Sequence, residues 1–320
     1  MNRQEYQNAR ERIESFTASE SLGFRWLIIT YLTTFSGLYL TLRSDGFYFI
    51  GQILLATAFV QHFVILHECG HNTLLPDTKL NVFFGHLSSL FAILPFYSWQ
   101  AIHRQHHRLA GWKNEDPTTK IQVDPRVHNL NIFQKFLNRW CWRLWIPLFS
   151  IMYRAGTYWN IKAVFQTIED PYFRKRIVLN IIFLIVFYGF IFYYFGAALL
   201  LTFGLGLYLS LAFMDIVLLS QHNHIPMPIS HGKFKPHTNY EQVQYTRSLR
   251  CPHWLEAYVL FYFNRHELHH CFPSLPAYYF PQYDFNFPQT YDILPWALKV
   301  KQMDALELLF KDSTQTGEKI

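Results

Sequence analysis

The chain has 320 residues, of which 51% are hydrophobic and 19% aromatic but only 16% charged. A soluble domain carries about 25% charged residues, so the polar surface is too small for a soluble two-domain enzyme. The net charge of +6 is spread along the chain; this fits cytosolic loops of a membrane protein and argues against nucleic-acid binding. The cysteines, Cys69, Cys141, Cys251 and Cys271, form neither a C-x-x-C pair nor a small disulfide framework, as expected of reduced thiols facing a cytosol.

Taken in order, residues 1–23 are polar and mixed in charge, a cytosolic lead-in without the basic start and apolar core of a signal peptide. Two apolar runs follow, Phe24 to Leu42 and Phe47 to Leu66, separated by a polar turn through Asp45. Each approaches the roughly 20 residues a helix needs to cross a bilayer, and Pro76 and Asp77 are expected to close the second. Asn81 to Trp99 is also apolar enough to span. A full crossing would put the histidine clusters on either side of it on opposite faces, so it is expected to be re-entrant or to lie on the surface. Residues 101–176 are rich in Arg and Lys, which by the positive-inside rule places this loop in the cytosol. Within it Trp140, Trp142, Trp145, Tyr153, Tyr158 and Trp159 alternate with Arg143, Arg154 and Lys162, a mixture suited to a helix in the headgroup layer. Ile177 to Ser220 would run roughly 65 Å as one helix, about twice the bilayer core, and must fold back near Gly196. The remainder is expected to be cytosolic and to end in a disordered tail from Asp312 to Ile320.

The expected fold class is therefore an all-α integral membrane protein. Four transmembrane helices carry a cytosolic, histidine-rich di-metal cap, with both termini on the cytosolic side. The whole of 1–320 reads as one domain: a lead-in (1–23), a first hairpin (24–66), an interfacial region (67–176), a second hairpin (177–220) and a cytosolic region (221–320).

The chemistry lies in three histidine clusters. His67-Glu68-Cys69-Gly70-His71 places two imidazoles at i and i+4. His103-Arg104-Gln105-His106-His107 and His266-Glu267-Leu268-His269-His270 repeat the spacing H-x-x-H-H. Residues three and four apart share a helix face, so each triplet is expected to aim its imidazoles at one point. Neutral imidazole suits iron, zinc, copper or nickel, and eight such donors exceed what one tetrahedral ion can use. Two ions side by side are expected. Asp215, an ionisable residue inside the last span, shares a helix face with His222; it is a candidate for contact behind the metal site or for a polar tie between helices. Asp116 could orient a box histidine or simply stop a helix before Pro117. His62, His86, His128, His231, His237 and His253 lack cluster spacing and are read as structural or solvated.

H-E-C-G-H-N, H-R-Q-H-H with a following E-D-P-T, Q-H-N-H-I-P, and N-R-H-E-L-H-H-C-F-P-S-L-P resemble, in order and approximate spacing, the membrane fatty acid desaturases. That superfamily also holds carotenoid ketolases and hydroxylases and alkane hydroxylases. The resemblance covers most of the chain, from the first span to Pro281. It implies two non-haem iron ions on the cytosolic face, with dioxygen as co-substrate and an acyl chain reaching them between the spans. By position it implies the ligands His67, His71, His103, His106, His107, His266, His269 and His270. The family's additional histidine corresponds to His222, with His224 as the alternative, and the resemblance adds Asn264 as a water-mediated candidate. No fused H-P-G-G stretch is present, so electrons are expected from a separate protein of ferredoxin, rubredoxin or cytochrome b5 type. The implied reaction is desaturation of a long-chain acyl group on a membrane lipid, coenzyme A or a carrier; carotenoid ketolation or hydroxylation is the runner-up. A third reading, an intramembrane zinc protease, follows from the literal H-E-x-x-H match at His67 and again at His266, but leaves His103, His106 and His107 unused. A haem protein would need isolated axial ligands rather than clusters.

Overall fold

The computed structural model describes residues 1–13, 16–43, 46–124 and 129–318; Asp45 of the expected turn and His128 lie outside the described residues. Helix α1 (Arg3–Ile13) precedes α2 (Glu20–Leu42) and α3 (Tyr48–His71). The last two form an antiparallel hairpin fitted together by small residues. A Cβ at Gly37 would stand 2.9 Å from the backbone of Leu55, and one at Gly51 would stand 2.4 Å from Thr41. Gln52 clasps the hairpin to a later helix, donating to Thr41 (3.1 Å) and the Thr202 carbonyl (2.9 Å) and accepting from the Gly206 amide (2.7 Å). Such close, polar-tied packing compensates for the weak hydrophobic drive between helices in lipid.

Helix α3 ends at His71, where Asn72 takes a left-handed conformation, φ 60°. The stop therefore comes before Pro76 and Asp77. Asp77 instead opens α4 (Thr78–Ala92), accepting from the amides of Lys79 and Leu80, as an N-cap carboxylate does. Ile93, with φ 53°, and Pro95 break the chain before α5 (Phe96–Leu109), which leaves α4 at 100°. Asn81 to Trp99 is thus a bent pair rather than one straight crossing. The bend is braced from outside, where Trp159 donates to the Ile93 carbonyl (3.1 Å) and Arg154 to that of Ala92.

The expected headgroup-layer stretch is broken into short pieces. They are α6 (Ile132–Arg143), α7 (Leu148–Tyr153), a π turn (Arg154–Tyr158) and α8 (Ile161–Phe165). Pro147, which lacks an N–H, stands at one break. α6 buries Cys141 and Trp142 and exposes Ile132, Phe133, Phe136 and Trp140.

Helices α9 (Pro171–Phe195) and α10 (Ala197–His222) turn at Gly196, φ 44°, where the sequence places the fold-back. With α3 they are, among the described residues, the helices long and apolar enough to cross a membrane. α2 has comparable length, but Arg25, Thr30, Thr33, Thr34 and Thr41 make it less apolar. Ile28, Phe35, Phe49, Phe183 and Leu201 are all more than half exposed, an outward apolar belt that a soluble protein would not carry. After α10 come α11 (Asn239–Gln242), strand β1 (Ser248–Arg250), α12 (His253–Tyr258), α13 (His266–Cys271), and strand β2 (Thr290–Asp292), which pairs with β1 in parallel. Helices α14 (Ile293–Gln302), α15 (Ala305–Phe310) and α16 (Ser313–Thr316) finish the described chain.

The expected disordered tail is folded up to Glu318. Asp312 caps α16 and lies 3.5 Å from Lys113; the Ser313 amide donates to the His224 carbonyl (3.2 Å). Composition alone suggests disorder, but these ties fix the segment against the loops that follow α5 and α10.

Candidate metal centre

The last turn of α3, the C-terminal half of α5, the end of α10 and the short α13 bring nine histidines together. They separate into two groups. His67, His71, His103 and His269 form one; His106, His222, His266 and His270 form the other. Within each group the ring nitrogens lie within 4.8 Å of one another. His107 joins the first through its Nε2, 2.9 Å from that of His269 and 3.1 Å from that of His103.

Each triplet is therefore shared between two points rather than aimed at one. In both, the i,i+4 pair serves one group and the middle histidine serves the other: His103 and His107 against His106, His266 and His270 against His269. The geometry of the α-helix explains the split. Successive residues stand roughly 100° apart at 3.6 per turn, so i and i+4 nearly coincide while i+3 and i+4 diverge.

Outer contacts fix the tautomers of three members of the second group, while His266 Nδ1 is buried without a partner. His106 Nδ1 lies 2.8 Å from Asp116, His222 Nδ1 lies 2.9 Å from the Tyr245 carbonyl, and His270 Nδ1 lies 2.8 Å from Gln242 Oε1. The Gln242 amide nitrogen is committed to the His107 carbonyl at 2.7 Å, so its oxygen must face His270. All three acceptors require Nδ1–H, which leaves three bare Nε2 lone pairs facing inward. His106 and His270 present theirs 3.2 Å apart, and no hydrogen bond can join two acceptors. A cation between them resolves the conflict. The closest Nε2–Nε2 pairs stand from 2.8 Å (His71 to His103) to 3.2 Å (His106 to His270) apart; two imidazoles bound at right angles to one ion at about 2.1 Å would stand roughly 3.0 Å apart. His67 supplies a further sign, since its Nδ1 is held by Glu68 at 3.0 Å while its buried Nε2 has no partner. The residues fit a pair of metal ions bound by neutral nitrogen.

Burial first, and then the neighbouring imidazoles, hold His266, His269 and His270 well below the usual histidine pKa. The rings therefore stay neutral, each with one bare nitrogen, as metal ligands must have.

The remaining sequence candidates are placed as follows. Asp116 sits against His106 and accepts from Thr118 as well, so it orients a box histidine. Asp215 accepts from the amide (2.9 Å) and hydroxyl of Ser150; it is a polar tie between α10 and α7 and touches neither group. His224 bonds to Thr316 at 2.8 Å and lies outside both groups. Asn264 donates to the Leu249 carbonyl (2.7 Å) and to Glu256 (3.0 Å), and its amide oxygen is buried without a partner. Glu68, the base of the protease reading, is occupied by His67, Thr73 and the Ala277 amide. Glu267 faces Thr290 and the Gln289 amide. Neither carboxylate presents a free oxygen to the metal positions. Gln242 and Tyr245 escaped the sequence reading; the capping box Thr238-Glu241 marks the start of α11, but nothing in the pattern points Gln242 at a histidine.

A cavity adjoins both groups. His67 and His103 line it from the first and His106, His222 and His266 from the second; Phe63, Leu94, Phe149 and Phe263 supply apolar wall.

Known proteins share this arrangement of sequence. The chain is 28% identical over 223 residues to a sn-1 acyl-lipid omega-3 desaturase (ferredoxin) of Synechocystis, covering 66% of this chain and 60% of that protein. It is 25% identical over 233 residues to a sn-1 oleoyl-lipid 12-desaturase of Picosynechococcus, covering 70% and 64% respectively. An endoplasmic-reticulum omega-3 fatty acid desaturase of tobacco, Nicotiana tabacum, is 24% identical over half of this chain and 43% of its own length. The alignments thus span less than two thirds of these relatives. Residues 46–292 match the model of the fatty acid desaturase family, and with both imidazole groups inside that stretch the chain belongs to the fatty acid desaturase family.

Proposed function

We propose that the protein introduces a double bond into a long acyl chain of a membrane lipid, at two iron ions held by His67, His71, His103, His107 and His269 on one side and His106, His222, His266 and His270 on the other. The observation that carries this reading is the cavity walled by imidazoles of both groups and by Phe63, Leu94 and Phe263. Its apolar side suits methylenes, and its other side brings them to both ion positions. Names of two relatives specify acyl-lipid or oleoyl-lipid substrates, and one specifies ferredoxin. These names support a lipid-borne acyl chain and a separate donor of that type.

In the balanced reaction, two hydrogens leave adjacent methylenes, dioxygen takes them together with two electrons from the donor and two protons, and two waters result. Bound iron would supply the oxidising power for an unactivated C–H bond; the protein contributes orientation and exclusion of side reactions. Asp116, Gln242 and the Tyr245 carbonyl keep the ligand nitrogens bare and aimed inward, and Trp99, stacked on His103 at 4.3 Å, closes the site from behind. In this reading α2, α3, α9 and α10 are the four spans, the bent pair α4–α5 re-enters, and the imidazole groups and both termini face the cytosol.

The test is expression in a host that makes both saturated acyl lipids and carotenoids, with analysis of both pools. New unsaturated acyl chains that disappear with His222→Ala are expected. Oxygenated carotenoids beside an unchanged acyl profile would overturn the assignment and move it to the sister activity.

A further inference from the structure

A ladder of rings leads from the surface toward the second imidazole group. Phe234 and Trp112 stand 5.3 Å apart; Trp112 lies flat on His237 at 5.1 Å with 13° between the planes; His237 reaches Tyr245 at 4.9 Å. The backbone carbonyl of Tyr245 then accepts from His222 Nδ1 at 2.9 Å. The ladder is tightly fitted where it passes Gly111, whose φ is +94°. A Cβ there would stand 2.4 Å from the Tyr245 ring and 2.7 Å from that of His237, so only glycine lets the loop pass the rings. Gln242 ties the same segment to both groups, bonding the His107 carbonyl and His270 Nδ1.

Around the outer end the exposed charges are mostly positive. Lys233, Lys235 and His231 are exposed on the loop that carries Phe234 and His237, and Arg108 is exposed at the end of α5. Glu241 is exposed as well, and its carboxylate accepts from the Thr238 amide and hydroxyl at the start of α11. His231 and His237 lack cluster spacing, and the Trp112 and His237 rings belong to neither imidazole group.

We propose that the Trp112–His237 face is the docking and entry surface for a soluble, acidic electron-transfer protein. Lysines 233 and 235 steer it, and the rings connect it to His222. This rests on the functional reading above, which requires an external donor. Opposite charge accelerates encounter and selects the partner, while stacked conjugated rings bridge the protein more effectively than saturated side chains. The occupant is a protein carrying its own redox group and a negative surface.

The experiment uses the full chain in neutral-lipid nanodiscs, with an acidic plant-type [2Fe–2S] ferredoxin as probe. K233E/K235E is expected to weaken ferredoxin binding about tenfold or more at low salt and to flatten its salt dependence. At saturating ferredoxin, Trp112→Leu is expected to slow oxidation of bound reduced ferredoxin about tenfold, and Trp112→Phe is expected to restore most of that rate. Binding of K233E/K235E equal to wild type at every salt concentration would overturn the docking surface. Ferredoxin oxidation at the wild-type rate in folded Trp112→Leu would overturn the entry route. Dithionite, a small reductant, separates the two levels of the argument. If the wild-type protein with dithionite and dioxygen makes no unsaturated lipid, the functional reading fails; if it does, and the variants behave as wild type toward ferredoxin, only this inference fails.

Discussion

The two imidazole groups draw on the same motifs but are held in different ways. In the second group His106, His222 and His270 each have Nδ1 taken by Asp116, the Tyr245 carbonyl or Gln242, and every member is buried. In the first, His67 alone is tied in this way among the described residues, by Glu68. The other rings rest on one another and on Trp99, and His71 and His107 are partly exposed. The second group is oriented mainly by hydrogen bonds, with His266 the exception, and the first mainly by packing. Hydrogen bonds fix tautomer and basicity; packing fixes position alone. The second group is therefore the better preorganised and the first the more open to solvent and small molecules.

The largest effect separating the halves is expected from ligand removal. His266→Ala should cost more than about 100-fold in activity, beyond the 10–100-fold typical of outer contacts, and should lower iron from two to one per chain by elemental analysis. Loss of both ions together would break the comparison by showing that neither group holds metal alone. Next comes Asp116→Asn, which leaves the shape and removes the charge that fixes His106. A 10–100-fold loss of metal affinity is expected, confined to the second group in a competitive chelation titration; equal loss from both groups would again merge them. Gly70→Ala probes the packed half. Its new Cβ would stand 2.3 Å from the Trp99 ring, and overpacking of this kind costs about 1–3 kcal/mol. Thermal unfolding should shift accordingly while iron in the second group is retained. The smallest effect belongs to Asp215→Asn, which touches neither group. About 1 kcal/mol of stability should go with the weakened Ser150 contacts, and the iron content should stay at two per chain.

How much of this the sequence disclosed depends on the range of the interaction. The boxes were legible because their spacing is local: His67 and His71, or His103 and His107, meet within one helix whatever surrounds it. His222 became legible only through the family resemblance, since a lone histidine at the end of α10 has no spacing of its own. The allocation of the middle histidines, His106 and His269, to opposite groups was not foreseen, although the helical angle contains it. Gln242 and Tyr245 were invisible, because their roles depend on contacts across long stretches of chain. Hydropathy found the turn at Gly196 and marked Asn81 to Trp99 as anomalous. It could not supply the 100° bend, which depends on Ile93 and Pro95. The tail was misjudged for the same reason: polar composition describes the segment and is silent about the Lys113 and His224 that hold it.

The crossed sharing of the two H-x-x-H-H boxes also bears on how the protein is made. The first group lacks His269, and the second lacks His266 and His270, until α13 has left the ribosome. Neither nest is complete while the earlier helices are being inserted, so a chain paused before residue 266 would offer loose histidines rather than a finished pair of sites. On the two-ion reading, full metal loading is thereby deferred until α13 has been made. A product truncated before α13 lacks members of both imidazole groups, so on the two-ion reading both ions together require that helix to be in place.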